Sequence, residues 1–172
     1  MRTIPLLLLI FSLLSCEPTA EQYYNRGEYR FSLGDYETAI VEFTNAIEID
    51  PNLTKAYALR GAALHNLDRH FLAVRDYSKV ISLKPDFYDI YFSRGLLKLE
   101  MRNHSGAVSD FTQYINAYPD HAAGYAMRGL SKFELENFQS ACSDIKRAER
   151  MGFRPGYIIP EPIYNAVLHF CR

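Results

Sequence analysis

Between Ala20 and about Pro155, apolar and small residues recur at the three- and four-residue spacing of one helix face. Tyr23, Arg26, Gly27 and Arg30 share such a face on a first predicted helix, and Ala39, Phe43 and Ala46 share one on a second. Leu33-Gly34-Asp35 supplies the turn between them, and Glu48-Ile49-Asp50-Pro51 closes the pair, because proline disfavours helix in the residue before it. The pattern predicts a hairpin of two helices, each of roughly a dozen residues. The run Ile4 to Leu14 is different: it is almost continuously apolar, follows a short positive start and is too short for a bilayer of about 30 Å. It reads as the apolar core of a secretory leader.

The hairpin repeats. Gly27, Gly61, Gly95 and Gly129 lie 34 residues apart, each preceded by an arginine: Arg26, Arg60, Arg94 and Arg128. Tyr23, Tyr57, Tyr91 and Tyr125 keep the same period, as do Ala39, Ala73, Ala107 and Ala141. A bulky residue follows each alanine by four: Phe43, Tyr77, Phe111 and Ile145. Pro51, Pro85 and Pro119 close the first three units. Glycine facing alanine lets two helix axes approach, and the bulky side chains fill the space beside that contact. Glu42, Asp76, Asp110 and Asp144 stand sixteen residues after the arginines, which predicts paired guanidinium and carboxylate groups inside each unit. A ligand-binding ladder of arginines is the alternative.

This pattern resembles the tetratricopeptide repeat. The resemblance implies an all-α superhelix, a solenoid of four helix-turn-helix repeats plus a C-terminal capping helix. The units are residues 20–53, 54–87, 88–121 and 122–155, with a loop and cap over 156–172. In the family the first helix of each unit lines a concave groove. Carried over by position, that groove holds Tyr24, Asn25, Glu28 and Phe31, then His65 and Asn66, then Phe92, Leu96 and Leu99, then Met127, Leu130 and Phe133. Members that clamp a peptide's C-terminal carboxylate use Lys, Asn and Arg at positions occupied here by Tyr24, Glu28, Leu59, Asp89 and Ser93, so a chaperone tail is not the expected ligand. The apolar second half of the groove fits an amphipathic helix or an extended apolar segment.

Beyond the fourth unit, Pro162 suits the first position of a last helix, on which Ile163, Ala166, Val167, Phe170 and Cys171 form one apolar stripe. Such a stripe covers the exposed end of a repeat array. If this helix runs antiparallel to the one before it, with the turn near Gly156, Cys142 and Cys171 come to similar height. In an oxidising compartment they form a disulfide; two buried thiols are the other reading.

Leu13-Leu14-Ser15-Cys16 resembles the lipobox of bacterial lipoproteins. It implies a signal peptide over residues 1–15, lipidation of Cys16 and a tether over 16–19; an ordinary signal with an incidental cysteine is the alternative. The expected location is the bacterial cell envelope, on the outer membrane facing the periplasm where the host has two membranes and otherwise on the outer face of the plasma membrane. Losing residues 1–15 leaves 18 basic and 20 acidic side chains, with no basic stripe for nucleic acid. No phosphate loop, dinucleotide glycine motif or nucleophile elbow is present. No two of the five histidines pair at metal-ligand spacing on one helix, and His70 and His104 fall where the first unit packs Tyr36. The sequence therefore points to a non-enzymatic adaptor without cofactor or metal, binding a protein or peptide partner beside a membrane. A structural lipoprotein that self-associates is the rival.

Overall fold

The computed structural model describes residues 17–154 and 159–172. The expected leader, Cys16 and the expected turn near Gly156 lie outside the described residues. Within them the order is α1 (Ala20–Ser32), α2 (Tyr36–Ile49), α3 (Thr54–Asn66), α4 (His70–Leu83), α5 (Tyr88–Glu100), α6 (His104–Ala117), α7 (Ala122–Glu134), α8 (Phe138–Arg150) and α9 (Glu161–Phe170), with no strand among the described residues. Consecutive helices pack on one another throughout, so the chain is a linear pile of hairpins.

Local chemistry sets the ends. Thr19 and Gln22 form a reciprocal capping box at the start of α1, satisfying backbone N–H groups that a first turn leaves open. The first helix of each hairpin stops on a residue in the left-handed region: Gly34, Asp68, Arg102 and Glu136, at φ of 76°, 55°, 56° and 59°. The following N–H then bonds back to the carbonyl five residues earlier, as in Arg69 to Leu64 and Asn137 to Lys132.

The glycine of each hairpin is required by contact. A Cβ on Gly27 would meet the Phe43 ring at 2.7 Å; on Gly61, Tyr77 at 2.8 Å; on Gly95, Phe111 at 2.8 Å; on Gly129, Ile145 at 2.9 Å. Ala39, Ala73, Ala107 and Ala141 are fully buried at the same junctions.

The arginine ladder is present in three hairpins. Arg60 donates from Nε and Nη2 to Asp76 at 2.7 and 2.8 Å, Arg94 to Asp110 at 2.9 and 2.7 Å, and Arg128 to Asp144 at 2.8 and 2.7 Å. Each Nη1 also donates to a hydroxyl of the preceding hairpin: Thr44, Ser78 and Thr112. The guanidinium therefore ties two neighbouring units together. The first hairpin departs from the expected pairing. Arg26 is exposed beside the Tyr23 ring, and Glu42 Oε2 is buried without a hydrogen-bond partner. Glutamate is one methylene longer than the aspartate that takes this place in the other three hairpins.

The cap also differs from expectation in its rotation. The residues turned to the array are Tyr164, Val167, Leu168 and Cys171, whereas Ile163 and Phe170 are more than half exposed and Ala166 is exposed. The helix carries two neighbouring apolar stripes, and the one with Tyr164 wins because its ring packs 5.2 Å from Phe153 and fills the array's end. Phe138 lies 5.1 Å from Phe170, so the start of α8 meets the end of α9 and the two run antiparallel. Cys142 and Cys171 sit at that meeting point, bonded through sulfur with Cα atoms 5.1 Å apart.

Candidate binding groove

First-helix residues and the cap line a cavity of about 690 Å³ in the second half of the array. Leu96 and Leu99 come from α5, Leu130 and Phe133 from α7, and Ile163 and Ala166 from α9. Met127 forms the floor at 2% exposure. The stripe of α9 that does not cover the array thus becomes a groove wall. Glu100, Arg102, His104 and Glu134 form the polar rim. An apolar trough with a charged rim can hold a bulky apolar side chain and orient the segment that carries it. The described residues offer no nucleophile beside a base in this trough.

The expected groove residues divide into three groups. Asn25, Glu28 and Asn66 are exposed, and Phe31, His65, Leu96, Leu99, Leu130 and Phe133 are half-buried. Phe92 is half-buried too, but its ring packs 5.5 Å from Phe111 and 4.8 Å from Tyr114, so it belongs mainly to the core. Tyr24 and Met127 are buried. The Tyr24 hydroxyl donates to Glu28 Oε1 at 3.1 Å, and the Lys55 ammonium lies 4.0 Å from its ring centre. Burial, then the carboxylate of Glu28, pushes the Tyr24 phenol up to about 12. Positional carry-over missed the contribution of α9, whose groove-facing residues were the ones expected to face inward.

A second cluster was hidden because its members lie on three helices. His65 ends α3, His70 opens α4 and Glu100 ends α5. Glu100 Oε2 lies 3.2 Å from His65 Nε2 and 3.6 Å from His70 Nδ1, and the imidazole centres are 5.8 Å apart. No single-helix spacing reveals it, although the 34-residue register does place Glu100 where Asn66 stands one unit earlier.

The geometry defines an α-solenoid of stacked helical hairpins with a capped end and an apolar trough. Comparison with known proteins makes the class specific. Models of the tetratricopeptide repeat match residues 27–68, 54–87 and 89–121, and the array is built of tetratricopeptide repeats. The chain is 40% identical over 52 residues to a rice protein SGT1 homolog, a match covering 30% of this chain and 14% of that protein. It is 43% identical over 42 residues to human tetratricopeptide repeat protein 16, covering 24% of this chain and 5% of that protein. The chain thus matches only a small part of these relatives' length. Among solved structures, MamA 41-end from Desulfovibrio magneticus RS-1 is similar with a TM-score of 0.77 at 21% identity, over 88% of this chain and 82% of that one. The first TPR of Spaghetti (RPAP3) bound to HSP90 peptide SRMEEVD is similar with a TM-score of 0.65 at 19% identity, over 69% of this chain and 94% of that one.

Proposed function

We propose that the protein is a non-enzymatic adaptor that holds a protein segment in its concave trough, tethered to a membrane through a lipid on Cys16. The observation that carries the reading is the 690 Å³ apolar trough walled by α5, α7 and α9. A peptide is bound by the solved tetratricopeptide domain of Spaghetti, which supports a peptide-binding role for the similar array here. The recognised segment is different in kind. Glu28 and Asp89 stand at two of the positions where a carboxylate clamp places Lys, Asn or Arg, and both are exposed. An apolar anchor with neutral or basic flanks fits; an acidic tail such as SRMEEVD does not. Glu17, Pro18 and Thr19 separate Cys16 from α1, so residues 16–19 reach at most about 14 Å and hold the array against the lipid surface. The partner is therefore membrane-associated, in the envelope of a bacterium.

The test uses Leu130→Asp, which places a charge in the trough at a half-buried site without touching the arginine ladder. Affinity capture from membranes by the wild-type chain, followed by binding of the captured partner's segments, should show loss in the variant at unchanged helicity. Equal capture by both proteins refutes the groove. A mass that doubles with concentration, and is restored to monomer by Leu130→Asp, favours self-association instead.

A further inference from the structure

We propose that His65, His70 and Glu100 form a zinc site that clamps the second repeat to the third. The three residues present ligand atoms within 4.8 Å of one another. Two ligands each about 2.0–2.1 Å from a tetrahedral zinc ion stand about 3.4 Å apart. The observed separations of 3.2 Å from His65 Nε2 to Glu100 and 3.6 Å from His70 Nδ1 to Glu100 bracket that value. His70 Nδ1 is buried without a hydrogen-bond partner, so its lone pair has no other use. The opposite ring nitrogen, Nε2, lies 3.7 Å from the exposed Asp68 Oδ1, on the side where a zinc-bound imidazole commonly has an outer carboxylate. Asp68 reaches that place because it occupies the left-handed position that ends α3.

The repeat supplies an internal comparison. The residue pair that His65 and His70 occupy is Phe31 with Tyr36 in the first unit, at 5.3 Å between rings, and Phe133 with Phe138 in the fourth, at 5.1 Å. Apolar rings are the ordinary occupants, joining the end of one helix to the start of the next. His104 repeats the buried, unpartnered Nδ1 of His70, but Leu99 stands where His65 would be. Among the described residues the complete set of three donors arises only at the junction of the second and third units. Two imidazoles and one carboxylate suit zinc, with a fourth position left for water or for a donor from a partner. Glu100 also lies on the trough's rim, so metal here would stiffen one end of the groove.

Titration of zinc into the full chain, carrying no polyhistidine tag and with Cys16→Ser so that its thiol cannot compete, should show one equivalent bound and a raised Tm. Cobalt in place of zinc should give the visible absorption of a tetrahedral centre. His65→Phe, which restores the apolar occupant of the first and fourth units, should lower zinc affinity more than the ~10–100-fold that losing an outer partner costs. Glu100→Gln should act likewise, and His104→Phe should leave zinc affinity unchanged. Both ligand variants should melt as the metal-free wild type does or higher, which separates lost binding from lost folding. Absence of a zinc-dependent Tm shift in the wild type overturns the site, as does unchanged affinity in either folded ligand variant.

Discussion

The arginine ladder makes a graded prediction, because each rung has a different set of partners. Asp76 is 1% exposed, and its carboxylate is held by Arg60 alone. Asp110 and Asp144 each have a second cation: Lys98 at 2.8 Å and Lys132 at 2.7 Å. The corresponding residue in the second unit is Leu64. Arg60→Ala therefore strands a buried carboxylate, which costs about 3–5 kcal/mol. Arg94→Ala removes the same three bonds but leaves Lys98 to neutralise Asp110, so the loss falls to about 1–3 kcal/mol, the range for charged hydrogen bonds. Arg128→Ala should match it through Lys132. Arg26→Ala removes an exposed side chain with no carboxylate partner among the described residues and should stay within about 0.5 kcal/mol. Urea denaturation read by far-ultraviolet circular dichroism gives the four midpoints, with slopes compared to detect any loss of cooperativity along the array. The reasoning fails if Arg26→Ala costs as much as the others, or if Arg60→Ala is no worse than Arg94→Ala.

Three further outcomes are expected. Burial pushes the Tyr77 phenol up to about 12 from an ordinary 10, so its stabilising share is complete below pH 10 and is lost as pH rises through 12, at most about 3 kcal/mol; Tyr77→Phe should flatten that part of an alkaline stability profile. Cys142 and Cys171 enclose a separation of 29 residues, so a reductant, or paired Cys→Ser changes, should remove about 3–4 kcal/mol, read as easier proteolysis within residues 159–172. Glu136 carries a positive φ of 59° with an exposed side chain, so Glu136→Gly should raise stability by up to about 1 kcal/mol, seen as a higher denaturation midpoint.

What the sequence makes legible is whatever recurs. Gly95 and Phe111 announce their contact because three other pairs share their spacing, and the same register exposes Arg94 and Asp110. The hydroxyls of Thr44, Ser78 and Thr112 also keep the period, but a threonine on a helix has an ordinary local use, and each of the three donates to the carbonyl four residues back. Their role as acceptors for the next unit's arginine becomes visible only when the units are stacked. The rotation of α9 was harder to read, because Tyr164 and Leu168 make an apolar stripe as good as Ile163 and Phe170. Only the partner surface, with Phe153 and Ile145 against Tyr164, decides between them.

The same division separates scaffold from recognition. Positions 27, 61, 95 and 129 are all glycine because each must admit a side chain from the facing helix at van der Waals contact, so any variation there costs stability. Positions 31, 65, 99 and 133 are Phe, His, Leu and Phe, and no packing rule forces that sequence, since all four remain half-buried. On the binding reading proposed above, residues that vary at this half-buried face are the ones to distinguish one partner from another. Leu99 and Phe133 line the apolar trough, and His65 alone of the four turns polar, toward a carboxylate on the next unit. Exchanging His65 and Leu99 should leave the hairpins intact while moving polar chemistry 34 residues along the array, into the trough itself.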